Sequence, residues 1–136
     1  MQKINESYEE LKKSKFYGYL YSVNDVSEVD LIIEEVWKNN KKARHVVYAY
    51  KIGNKEKCYA DKEPMGTTRG LLDVINKNNL DNTLIVVVRY FGGIKLGAGG
   101  LVRAYTNAGN LVLDKAKIVN MKNVNEYKAT IAIVNG

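Results

Sequence analysis

The sequence has one cysteine, Cys58, so no internal disulfide can form and a reducing, cytoplasmic setting is expected. One proline and 11 glycines in 136 residues exclude collagen-like and proline-rich disordered classes. No run approaches the roughly 18 apolar residues that a membrane-spanning helix requires, and no membrane partner is expected. Met1-Gln2-Lys3-Ile4-Asn5-Glu6 has no apolar signal-peptide core. A single histidine, with no HExxH, GxSxG or CxxC spacing, leaves no complete catalytic set. No metal or cofactor is therefore expected. Acid is also missing from one long stretch, since no Asp or Glu lies between Asp81 and Asp114.

What remains is ordinary soluble, globular material: 46% hydrophobic and 26% charged residues. The length suits one domain over 1–136, which buries roughly two-thirds of the unfolded chain's surface. Charge is uneven. Residues 1–45 carry eight basic and eight acidic side chains, and residues 46–136 carry thirteen and seven, which accounts for the net +6. Arg89, Lys95 and Arg103 fall in the acid-free stretch. Uncompensated positive charge favours polyanions such as nucleic acid, although a solvated face is the alternative. With 17 Lys and 4 Arg, lysine is the default cation. Arg69, Arg89 and Arg103 sit beside glycines, and Arg44 precedes His45. An arginine fork suits phosphate or carboxylate, or equally an internal acid.

Periodicity gives the elements. Residues 1–15 read as a polar lead-in with a short helix through Tyr8–Lys13. Phe16–Val23 reads as a strand with Tyr17, Tyr19 and Tyr21 on one face. Asp25, three residues before Glu28, predicts a helix start, and Val29, Ile32, Ile33, Val36 and Trp37 extend that helix over 26–39. His45–Ile52 and Lys57–Ala60 read as a hairpin across Gly53-Asn54. Thr67 or Thr68 can cap a helix carrying Leu71, Leu72 and Ile75. Thr83–Tyr90 is apolar on both faces and reads as a central strand. A helix follows with Leu101, Ala104, Tyr105, Ala108, Leu111 and Val112 inward. Tyr127–Val134 reads as an edge strand. The order βαββαβαβ predicts an α+β fold: a two-layer mixed sheet with helices on one face.

Three clusters could carry chemistry. Arg89–Tyr105 holds five of the 11 glycines between a strand and a helix. Glycine permits close backbone approach, and a helix start presents free N–H groups to phosphate. Its spacing matches neither G-x-x-x-x-G-K-[ST] nor G-x-G-x-x-G in a dinucleotide-binding frame, and tight strand-to-helix packing is the alternative. Asp61, Glu63 and the distant His45 could serve acid–base or metal chemistry. Alternatively, Glu63 and Thr67 cap the next helix and pair with a cation. Ten tyrosines among thirteen aromatics could stack bases or pack a sheet.

Arg89-Tyr90-Phe91-Gly92-Gly93-Ile94-Lys95-Leu96-Gly97-Ala98-Gly99-Gly100-Leu101-Val102-Arg103-Ala104-Tyr105 resembles the signature of the IMPACT/YigZ family, without a gap over seventeen residues. The resemblance extends to Ser14-Lys15-Phe16, to Ala43-x-His45 with Tyr48-Ala49-Tyr50, and to Glu63-Pro64-x-Gly66-Thr67. It covers about residues 14–118. It implies a fold like the second domain of ribosomal protein S5 and a place in translation. Similar eukaryotic proteins keep an initiation-factor kinase from its activator, using an additional N-terminal domain. Bacterial relatives usually continue into a ferredoxin-like domain, so this chain, ending at Gly136, is expected to be a minimal member or a fragment.

The family usually has two acids and a glycine before Glu-Pro, and Gly-x-Pro after Gly-Thr. Here Ala60-Asp61-Lys62 precedes and Thr68-Arg69-Gly70-Leu71 follows. Losing an acid and gaining two cations turns the expectation from enzyme toward binding. The expected function is a non-enzymatic regulator that binds RNA or the ribosome. Its contacts are Arg89, Tyr90, Phe91, Lys95, Arg103 and the backbone of Gly92, Gly93, Gly97, Gly99 and Gly100. Arg44, His45, Lys62 and Arg69 form the rim, and Glu63 and Thr67 complete the expected binding residues. The alternatives are a protein-interaction regulator of a translation factor or its kinase, and a small hydrolase or phosphate-ligand enzyme using Asp61, Glu63 and His45.

Overall fold

A computed structural model describes residues 2–114 and 129–130. The strand that is apolar on both faces, β6 (Thr83–Tyr90), is the centre of a five-stranded sheet in the order β1-β2-β6-β3-β4. Its partners are β2 (Ser14–Ser22) on one side and β3 (His45–Ile52) on the other. The edges are β1 (Gln2–Leu11) and β4 (Lys55–Tyr59). Every pairing in this sheet is antiparallel. Leu80–Asp81 (β5) and Ala129–Thr130 (β7) form a separate two-residue parallel pair. The rest of the expected Tyr127–Val134 strand lies outside the described residues.

Alternating residues of β3 and β6 divide the core in two. Val47, Ala49, Ile85 and Val87 face α2 (Gly66–Lys77) and α3 (Gly97–Asp114), meeting Leu71, Ile75, Tyr105 and Val112. Val46, Tyr48, Tyr50, Leu84, Val86 and Val88 face α1 (Val26–Asn39) through Val29, Ile32 and Val36. The α+β class expected from the sequence holds. Its layering differs, because helices cover both faces and the main sheet is wholly antiparallel. A strand pair apolar on both sides needs cover on both sides. The tyrosines of β2 and β3 pack on the α1 face.

Local chemistry sets the boundaries. Asp25 caps α1, its Oδ1 accepting from the Ser27 N–H at 2.9 Å. Neither threonine caps α2. Thr67 and Thr68 lie inside its first turn, buried, and their hydroxyls donate back to the Pro64 and Met65 carbonyls at 2.7 and 3.0 Å. The expected Tyr8–Lys13 helix is instead strand β1 and a tight turn at Lys12-Lys13, with φ of 47° and 67°. Pairing from Leu11↔Ser14 to Gln2↔Ser22 supplies the backbone bonds that such a polar sequence cannot replace by burial. Helices α2 and α3 run parallel in close contact. A Cβ on Gly66 would approach Val102 to 2.9 Å, and one on Gly109 would approach Leu71 to 2.8 Å.

Candidate functional site

This topology gathers one end of the molecule. The β1–β2 turn, the exit of β6, the entry of β3, the 60–65 loop and the starts of α2 and α3 all meet there. At its centre is a buried charge cluster. Arg89 is 6% exposed and Glu63 8% exposed. One guanidinium nitrogen, Nη1, donates to both Glu63 oxygens, at 2.9 and 3.2 Å. The Tyr105 hydroxyl donates to Glu63 Oε2. His45 lies between carboxylates, with Nε2 3.4 Å from Glu63 Oε1 and Nδ1 3.5 Å from Asp61 Oδ2. Asp61 Oδ2 also accepts from the Val46 N–H at 2.9 Å. Burial, and after it the bond to Glu63, pushes the Tyr105 hydroxyl far above its ordinary range.

The structure thus brings His45, Asp61 and Glu63 together, as the hydrolase alternative required. It also engages Glu63 with Arg89 and Tyr105, so this carboxylate has little freedom to accept a substrate proton. Among the described residues, no group of three or more His, Cys, Asp or Glu side chains could hold a metal ion. The cluster ties the 60–65 loop to β3, β6 and α3. Cys58 is half-buried and bonded to the Thr68 carbonyl, and burial pushes its thiol up.

Arg89, Glu63 and Thr67, expected to touch ligand, are all buried and engaged internally. Arg89 neutralises an internal acid, and Thr67 is fully buried in a helical turn. Tyr90 is half-buried on the α1 face, its hydroxyl donating to Asn40 Oδ1. His45 is held by its two acids. Gly92 serves packing, because a Cβ there would collide with the Lys13 carbonyl.

The other expected residues form the surface around this cluster. Arg44, Lys62, Arg69, Lys95 and Arg103 are exposed. Phe91, 37% exposed, carries the Arg44 guanidinium 4.9 Å from its ring centroid and that of Arg89 at 5.5 Å. Gly93 and Gly97 have φ of 91° and 75°, and Gly99 lies in the first turn of α3. Nothing lies within 4 Å of a Cβ placed on Gly93, Gly97 or Gly99, so their lack of a side chain answers no internal contact. Open glycine backbone beside a helix start is accessible to an anion's oxygens.

Sequence reasoning missed five further cations. Lys12, Lys13 and Lys15 enter with the β1–β2 turn, and Lys41 and Lys42 with the turn before β3, all exposed. The lysine pair beside Ser14-Lys15-Phe16 was the available signal, but it needed the β1 hairpin to place it. The acids in the centre, Asp61 and Glu63, are engaged internally. Glu9 and Glu10 lie on the outer strand.

Residues 12–113 match the Impact N-terminal domain family. The chain is 40% identical over 116 residues to the IMPACT family member YvyE of Bacillus subtilis, covering 82% of this chain and 54% of that protein. It is 33% identical over 125 residues to the IMPACT family member YigZ of Escherichia coli, covering 88% of this chain and 61% of that one. A crystal structure described as a hypothetical protein superposes with a TM-score of 0.79 at 33% identity, over 82% of this chain and 57% of the other. The chain therefore spans a little over half the length of these relatives.

Proposed function

This chain belongs to the IMPACT family through its Impact N-terminal domain, and on that premise we propose that it is a translation-associated module that binds RNA through its basic end. The carrying observation is the charge arrangement at one end of the sheet. Ten exposed cations, Lys12, Lys13, Lys15, Lys41, Lys42, Arg44, Lys62, Arg69, Lys95 and Arg103, surround acids that are engaged inside. Lysines and arginines on phosphates supply affinity without reading sequence. The open backbone at Gly93, Gly97 and Gly99 adds N–H donors, and Phe91 under Arg44 offers a surface on which a base can stack. The translation context comes from the family resemblance, and the ribosome is the natural source of such an RNA.

The test is fluorescence anisotropy of a labelled structured RNA at about 50 and 200 mM salt. Each neutralised phosphate contributes close to one unit to the log–log salt slope, so affinity should fall steeply between the two conditions. Lys95→Glu with Arg103→Glu should weaken binding sharply and leave the melting temperature nearly unchanged, since both side chains are exposed. Unchanged affinity in the double variant would remove the site assignment.

A protein partner is the second reading, favoured by Met65 at 81% and Ile94 at 42% exposure on the same end. Apolar side chains among arginines are typical of interface centres. A partner recovered from nuclease-treated lysate, and lost in Met65→Ser with Ile94→Ser, would favour this reading over RNA.

A further inference from the structure

A groove lies on the α1 face of the sheet, and its lining ends at Asn39 and Asn40, just before Lys41 and Lys42. It runs between α1 and β1 over β2, with a cavity volume of about 310 Å³. Tyr19 and Tyr21 form its floor, Ile32 and Val36 its apolar wall, and Glu6 and Glu35 contribute carboxylates from opposite sides. Such a lining repels anions and suits a positive charge carried on an aliphatic body. Aromatic faces attract cations through the ring quadrupole, and apolar walls shelter the attached methylenes.

The chain itself displays this mode of binding. The ammonium of Lys3 lies 3.3 Å from Glu6 Oε2 and 5.8 Å from the centroid of the Tyr19 ring. On the facing wall, Glu35 has no basic side chain in ion-pair contact among the described residues. Burial, with Tyr19, Glu35 and Glu6 nearby, pushes the Tyr21 hydroxyl up to about 12, so it stays neutral between the two acids.

We propose that this groove binds an alkylammonium cation, with Glu35 and the Tyr19 and Tyr21 rings as its recognition elements and Lys3 as an internal competitor. The cation can come from a free polyamine or from a lysine side chain of a partner polypeptide. Glu35, Tyr19 and Tyr21 are not among the contacts of the RNA reading, so the proposal does not rest on it.

The experiment titrates the full chain, freed of nucleic acid, with spermidine in one arm and an acetylated, amidated lysine tripeptide in the other, at low salt. Calorimetry should show saturable one-to-one binding in at least one arm, and the arm that binds identifies the source of the cation. Glu35→Gln should weaken binding about threefold to fivefold and Lys3→Met should tighten it several-fold, in proportion to one exposed carboxylate and one cation–π contact. Glu34→Gln, the same charge change outside this groove, should leave affinity unchanged. No saturable binding in either arm would overturn the proposal. So would equal losses in Glu34→Gln and Glu35→Gln, or weaker binding in Lys3→Met. All three side chains are exposed, so folding is not at stake.

Discussion

At the scale of single residues, the centre of the basic end is a structural device. Glu63 is buried against Arg89 and Tyr105, and removing one partner of a buried ion pair leaves a charge without compensation. Glu63→Gln should therefore destabilise the fold by about 3 kcal/mol, read from urea unfolding. Tyr105→Phe should cost about 2 kcal/mol, because it deletes a hydrogen bond to a charged group. The Tyr105 hydroxyl is held neutral in the folded chain, whereas an unfolded tyrosine ionises near pH 10 (roughly). The raised folded value makes its contribution fully present below that pH and progressively lost above it. Alkaline unfolding should accordingly be shallower in Tyr105→Phe. Cys58 offers a separate check. Its raised thiol should be alkylated more slowly than a free cysteine at about pH 8, with the rate still climbing beyond pH 9 (roughly).

At the scale of elements, the glycines of the strand-to-helix loop divide by physical role. Gly92 lies against the Lys13 carbonyl, so Gly92→Ala must push the β1–β2 turn away and should lower the melting temperature sharply. Gly99 faces open space in a helical turn, so Gly99→Ala should stabilise the chain by about 0.5–1 kcal/mol. On the RNA reading, the same substitution should weaken binding by covering the backbone. The helices were legible because their signals are local. The Asp25 cap and the 3.6-residue apolar spacing place α1 at Val26–Asn39, the span expected. Strand β1 was not legible. Of its ten residues only Ile4 and Ser7 are buried, and its stability comes from pairing with β2, a relation absent from any local pattern. The burial of Arg89 was hidden for a related reason. Its partner Glu63 is 26 positions away in sequence, so the ion pair that takes it out of solvent could not be read there.

At the scale of the whole molecule, an antiparallel sheet with α2 and α3 parallel on one face sends many termini to the same end. Cations separated in sequence by as many as 91 positions, from Lys12 to Arg103, become one surface. The sequence registered only the acid-free segment of that surface, since the rest depends on topology. A consequence for the RNA reading is that charge reversal at Lys12 and Lys13, far from the glycine loop in sequence, should weaken binding comparably to reversal at Lys95 and Arg103. The same anisotropy titration reads this directly, with the salt slope falling by about one unit per lost phosphate contact.

The parallel arrangement of α2 and α3 also has a kinetic meaning. Two helix dipoles present their positive ends beside the cations, with α1 opposed to them on the other face. On the RNA reading, these two positive helix ends and the adjacent cations turn this end toward a polyanion before contact. Fewer encounters are wasted on wrong orientations, which is how charged partners exceed the roughly 10⁵–10⁶ M⁻¹s⁻¹ association rates of neutral ones. Stopped-flow association with RNA should accelerate strongly as salt is lowered, while dissociation changes less.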